Sequence, residues 1–225
     1  MAKMILFHGS QKIVSKPLYG LGKPYNDYGP GFYCTQDIEL AKEWACPTTI
    51  NGFCNSYELK TTNLKILNLL DQKYCPLHWL TILINNRKFD LGTPLSKEAA
   101  LYLTKHFLPD IHKYDVIRGY RADDSYFSFA KAFLTNQISY AQLIKAIKLG
   151  NLGEQIVLKS KLAFDSVKFI KYEIADGKTY SLLRANRIQK ARDDYNKVVN
   201  KADIQGLYML DILQKEIKKN DPRLQ

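Results

Sequence analysis

The stretch Tyr28-Gly29-Pro30-Gly31-Phe32-Tyr33-Cys34-Thr35, followed by Asp37 to Ala45, decides how the chain is read. Gly29, Pro30 and Gly31 make a tight turn, because Gly permits positive φ and Pro presets the turn angle. Phe32 to Thr35 is a short apolar, β-favouring run and predicts a strand. Asp37 predicts a helix N-cap, since its carboxylate can accept from free amides of the first turn. Leu40, Ala41 and Trp44 then share one helix face. Tyr33 and Trp44 are thereby placed to converge as two aromatic walls around a flat, electron-poor ring.

Upstream, Met4-Ile5-Leu6-Phe7-His8-Gly9-Ser10 reads as a hydrophobic strand ending in His-Gly-Ser. Residues 11–27 contain Pro17, Gly20, Gly22, Pro24, Asn26 and Asp27 and predict a loop, of a length that often closes over a ligand. Downstream, the aromatic helix stops near Cys46-Pro47. Gly52 to Leu59 and Leu64 to Leu69 read as strands. Residues 76–108 read as two helices broken at Asn85-Asn86, the second opened by Pro94 and Ser96, as an insertion on one side of the sheet. Tyr114 to Tyr120 predicts a strand, with Asp123 or Asp124 capping the helix through Phe129 and Phe133. Ser139 caps the next helix, which runs to Leu149 and closes at Gly150. Leu152 to Ser160 and Phe164 to Ile174 read as strands, and Gly177 to Gln225 as charged helix interrupted near Asn200-Lys201 or Gly206. The simplest division is residues 1–175 with a helical extension at 176–225.

A hydrophobic share of 46% marks a globular chain. The net charge of +11 attracts polyanions: nucleic acid, an acidic protein or a phosphate-bearing small molecule. The lysines read as scattered, without an aromatic-interleaved basic stripe, which ranks nucleic acid second. Cys34, Cys46, Cys54 and Cys75 form no Cys-x-x-Cys pair and no zinc spacing, so no metal is expected and the thiols read as free. The N-terminal apolar run is cut by His8 and Gly9, so no signal peptide or membrane span is expected and cytoplasm is the default. His78, His106 and His112 have no recognisable partner group and read as ordinary surface or helix-end residues.

The strand ending in His8-Gly9-Ser10, the Gly-x-Gly-Phe-Tyr strand and the following helix together resemble the ADP-ribosyltransferase superfamily. The likeness is to the branch of poly(ADP-ribose) polymerases and diphtheria toxin, which uses a His, a Tyr and a late acidic residue. It is nearest to a bacterial family catalogued only as a domain of unknown function, which also has Gly-Tyr-Arg-Ala-Asp-Asp-Ser-Tyr-Phe, here Gly119 to Phe127. The resemblance spans most of residues 4–172. It implies an α+β split β-sandwich with a central NAD cleft and peripheral helices, in which residues 4–8, 31–35 and 153–159 are strands bordering the cleft. It implies mono-ADP-ribosyl transfer from NAD to a protein or nucleic-acid acceptor, with nicotinamide released. Bacterial toxins and phage-defence effectors work this way, some with a cognate antitoxin or regulator. A non-catalytic NAD- or partner-binding module on the same fold is the alternative.

Residue by residue, the resemblance puts His8 on a ribose hydroxyl and the Gly9 backbone on the nicotinamide carboxamide, with Ser10 adding a hydroxyl. Gly31 and Phe32, just before Tyr33, are cofactor-binding with it; Tyr33 stacks on nicotinamide, and Trp44 stands against the other ring face. Ala41 departs from the Ser that often contacts the carboxamide. Arg121 reads as a partner of the NAD pyrophosphate or of an acidic substrate, or else as half of a local Arg-Asp pair. The late acidic position stays open between Glu154 and Gln155, because neighbouring strand residues face opposite ways. Glu154 would be the catalytic acid; Gln155 can orient a ribose hydroxyl but cannot ionise.

Overall fold

The computed structural model describes residues 2–88, 90–122, 124–149 and 153–224, the side chains of residues 124–127 aside. The chain is an α+β protein with two sheets and, among the described residues, eight α-helices. Strand β1 (Lys3–Ser10) pairs antiparallel with β3 (Gly52–Lys60), and β3 with β7 (Val167–Ala175), giving the sheet order β1-β3-β7. The second sheet has the order β2-β6-β5-β4, from β2 (Phe32–Cys34), β6 (Glu154–Leu158), β5 (Val116–Tyr120) and β4 (Ile66–Asn68). Only β4 and β5 run parallel in it.

The sheets meet at one backbone pair. The Phe7 amide donates to the Thr35 carbonyl at 2.8 Å, and the Thr35 amide returns a bond to Phe7 at 2.9 Å. The three strands expected around the cleft are therefore divided, β1 in one sheet and β2 and β6 in the other, and joined at this seam. Between the sheets, Leu6, Phe32, Cys34, Tyr57, Leu59, Ile156 and Leu158 form one buried cluster. The opposite face of the second sheet buries Ile117 and Val157 under helices α2 (Pro76–Asn86), α3 (Pro94–Phe107), α4 (Asp124–Leu134) and α5 (Tyr140–Ala146).

Local chemistry fixes the ends of these elements. Helix α1 (Ile38–Ala45) starts at Asp37, whose Oδ1 accepts from the Glu39 and Leu40 amides. Thr93 and Ser139 cap α3 and α5 through their hydroxyls. Pro94 occupies the first turn of α3, where its missing N–H costs nothing. Several sequence expectations shift. The Leu64–Leu69 strand contracts to Ile66–Asn68. Phe164 belongs to a short helix α6 (Lys161–Asp165), capped by Ser160, and the strand begins only at Val167. Helix α5 ends at Ala146 rather than Leu149. Asp123 and Gly150 lie outside the described residues.

Helix α7 (Gly177–Val199) lies across α1, where Arg187 bonds both carboxylate oxygens of buried Glu43. Removing one partner of so buried a pair strands a charge, at a cost of about 3–5 kcal/mol. After α8 (Met209–Gln214), Ile217 and Leu224 join Met209 and Ile212 in the core that also holds Leu77, Leu103 and Phe133.

Candidate functional site

A cavity of about 410 Å³ opens where the two sheets part. That is room for a small molecule, whose sites typically span roughly 300 to 1000 Å³. Its walls come from β1 (His8, Gly9), the loop before β2 (Lys23, Asn26, Asp27), the turn and strand β2 (Gly31, Phe32, Tyr33), and Trp44 of α1. Arg87 at the end of α2, Arg121 and Ala122 after β5, and Gln155 of β6 complete it.

The turn at Gly29 sets the aromatic wall. Gly29 has φ +72°, a conformation open to Gly at no steric cost. The Tyr33 hydroxyl donates to the Gly29 carbonyl at 2.5 Å and accepts from the Tyr28 amide at 3.1 Å, tying strand to turn. Burial raises the Tyr33 phenol well above its usual range, so it remains a neutral donor. Lys159 clamps the same turn from outside, its ammonium donating to the Tyr28 and Pro30 carbonyls at 2.5 and 2.6 Å. Burial lowers its pKa to about 8, because a desolvated ammonium is disfavoured.

His8 is held by its own fold. Its Nδ1 lies 2.7 Å from the Tyr33 carbonyl. A carbonyl only accepts, so Nδ1 carries the proton and Nε2 of the neutral ring is an acceptor. Burial lowers the His8 pKa and outweighs the carbonyl bond that raises it, which favours this neutral form. The ring packs on Phe32, centroids 4.5 Å apart.

β6 resolves the choice between its neighbouring polar residues. Tyr33 pairs with Val157, and Gln155, two residues along, shares that face by strand alternation. Gln155 lines the cavity at 7% exposure, and its Oε1 is buried with no hydrogen-bond partner. Buried side-chain oxygens are nearly always satisfied, so such an orphan marks a place for a donor. Glu154 points to the other face, where its Oε2 accepts from the Arg118 guanidinium at 2.5 Å, and it is absent from the cavity wall.

Of three other expected residues, Ser10 lies off the cavity wall, while Gly9 and Arg121 belong to it. The Ser10 hydroxyl accepts from the Lys12 amide at 3.1 Å in a surface turn and does not line the cavity. Gly9 lines it, but its lack of a side chain serves packing: a Cβ there would overlap the Ala41 carbonyl oxygen and come within 2.6 Å of the Ala45 nitrogen. Ala41 is fully buried at that contact. Arg121 lines the cavity with its guanidinium stacked over Trp44, 3.8 Å from the ring centroid.

Asp27, Arg87, Lys23 and Asn26 are the residues the sequence reading passed over. Asp27 is buried, its Oδ1 accepting from Arg87 Nε at 2.8 Å and its Oδ2 from the Ala122 amide at 3.1 Å. Burial raises its pKa, with Arg87 opposing. It thereby ties the loop, the end of α2 and the segment after β5 into one wall. Asp27 opens the Asp-aromatic-Gly-x-Gly-Phe-Tyr run and was findable there; nothing around Arg87 announces its role. The cavity thus combines three cations (Lys23, Arg87, Arg121), one paired carboxylate, aromatic walls and two neutral acceptors. That set suits a phosphate-bearing ligand with a flat ring. Among the described residues, no group of three or more His, Cys, Asp or Glu is placed to hold a metal ion. No helix there is long and apolar enough to cross a membrane.

Fold and site together define a two-sheet α+β protein with a basic, aromatic-walled cleft at the seam of its sheets. The chain belongs to the family described as "Protein of unknown function (DUF3990)", whose model matches residues 4–169, β1 through the first strand residues of β7. No curated protein and no solved structure matches it.

Proposed function

We propose that the chain is an NAD-dependent mono-ADP-ribosyltransferase of the His-Tyr-Gln kind, built as an ADP-ribosyltransferase-like split sandwich. The observation that carries the reading is the orphan Oε1 of Gln155, buried in the same cavity as His8, Tyr33 and Trp44. In this reading nicotinamide lies along Tyr33, and Nε2 of His8 accepts from a ribose hydroxyl. Gln155 Oε1 accepts from the 2′-hydroxyl, and Arg121 with Lys23 faces the pyrophosphate. Arg87 stays with Asp27 and shapes the wall.

The bond from ribose C1′ to the nicotinamide nitrogen breaks, its electron pair neutralising the departing ring. The acceptor forms the new bond to C1′ with its lone pair and loses its proton to solvent, since Gln155 cannot act as a base. The ribose carries positive charge in between, as in glycoside cleavage. A polar group fixed at the 2′-hydroxyl stabilises that state, and loss of one such contact lowers rate by roughly 10²–10³-fold.

Nicotinamide release from NAD, assayed with nucleic-acid and protein acceptors, tests this. Release by the wild type, lowered about 100-fold or more in Gln155→Ala and kept in Glu154→Gln, is the expected result. A second reading, a binding module without chemistry, is favoured by the non-ionisable Gln155 and by the commitment of Glu154 to Arg118. NAD binding with no release under any acceptor selects it.

A further inference from the structure

We infer that the loop before β2 is a docking platform for single-stranded nucleic acid at the mouth of the cleft; on the NAD reading above, that strand is the ADP-ribose acceptor. Residues 11–26 contain Lys12, Lys16 and Lys23 and no carboxylate, with Tyr19 and Tyr25 between and after the lysines. The loop is fixed on the site: the Val14 amide donates to Asn55 Oδ1 at 2.9 Å, and Gly22 packs so closely on the backbone of Gly31 that a Cβ would overlap it. Lys23 reaches the cavity wall itself.

Held this way, the loop still turns its large side chains outward. Tyr19 is 58% exposed, Tyr25 56% and Leu21 74%. Three large side chains left this exposed within seven residues mark an interaction site more often than a plain surface. The fold adds cations at both ends of the row. Lys88 sits 4.5 Å from the Tyr25 ring centroid, and Lys161 joins Lys16 and Tyr19 around a second hollow beside α6, which Asp165 also lines. Lysines that are scattered in sequence thus meet these tyrosines in the fold, Lys88 at Tyr25 and Lys161 with Lys16 at Tyr19. Aromatic faces in a cationic track hold unpaired bases by stacking and phosphates by charge, with little sequence preference. A duplex hides its base faces, and an acidic protein offers charge without flat rings, so both fit the tyrosines less well.

Fluorescence anisotropy of a labelled mixed-sequence single-stranded RNA on the full chain tests the platform, with duplex and polyglutamate as competitors. The expected result is salt-dependent binding, weakened about tenfold or more in the exposed double variant Tyr19→Ala/Tyr25→Ala and less in Lys16→Gln. Calorimetry with NAD on the same double variant is expected to match wild type. No binding by the wild type, equal binding by the double variant, or displacement by polyglutamate as readily as by unlabelled strand would overturn the proposal. The NAD reading fails separately, as absence of NAD binding while strand binding and its dependence on Tyr19 and Tyr25 persist.

Discussion

Arg121 lays its guanidinium 3.8 Å from the centroid of the Trp44 ring, so a cation caps one aromatic wall of the cleft. Such a contact contributes about 0.5–2 kcal/mol. It also fixes a positive charge in the cavity wall, where a ligand phosphate would meet it already in place.

Arg121→Gln is therefore expected to weaken NAD about tenfold through loss of a charge-assisted contact. Nicotinamide riboside, which lacks the pyrophosphate, should bind both proteins equally. Paired calorimetric titrations check this, and an equal loss for both ligands would place Arg121 away from the phosphates.

Tyr33→Phe separates stacking from anchoring. The hydroxyl serves the turn, through Gly29 and Tyr28, rather than the cavity. The variant should keep NAD affinity and lose about 1–3 kcal/mol of stability, because the Gly29 carbonyl and Tyr28 amide lose their partner. Denaturant midpoints alongside NAD titration measure both quantities.

Gly9→Ala is expected to destabilise by about 3 kcal/mol or prevent folding, since the new methyl meets helix backbone that cannot rotate aside. Thermal unfolding reads this directly. A stable Gly9→Ala protein with impaired NAD binding would instead favour the carboxamide role at this position.

His8 gives the pH dependence a definite sign. Its folded pKa lies below 6.5, so the unfolded chain takes up the proton first on acidification. The stability it contributes is fully present above pH 6.5 and is lost as pH falls through the lower folded value. NAD affinity should fall over the same acid range, because protonated Nε2 donates and no longer accepts. Denaturation and binding measured from neutral to acid pH should show both effects in wild type and a shallower slope in His8→Asn.

Much of this architecture was legible because it depends on local chemistry. The Gly29-Pro30-Gly31 turn, the Asp37 and Ser139 caps and strands β1 and β6, the latter a residue shorter at each end than expected, follow from residue types a few positions apart. What the chain kept hidden depends on distant partners. The facing of Gln155 is set by its register with β2, and the Asp27–Arg87 pair spans 60 residues. Helix α6 was missed because Phe164 is as good a strand residue as a helix one, and only the Ser160 cap tips it. The packing constraint on Gly9 was also hidden, because the backbone it meets, that of α1, lies a helix away in sequence.

Calorimetric titration of NAD into wild type and Gln155→Ala tests whether NAD occupies this cavity with its ribose on Gln155, the placement proposed above. The Gln155 Oε1 is buried without a partner, and filling such an orphan with a hydroxyl donor is worth about 1–3 kcal/mol. Saturable NAD binding by the wild type is expected, with an affinity about tenfold lower, or weaker still, in a folded Gln155→Ala protein. No NAD binding by the wild type, or an affinity unchanged in the variant, would contradict it.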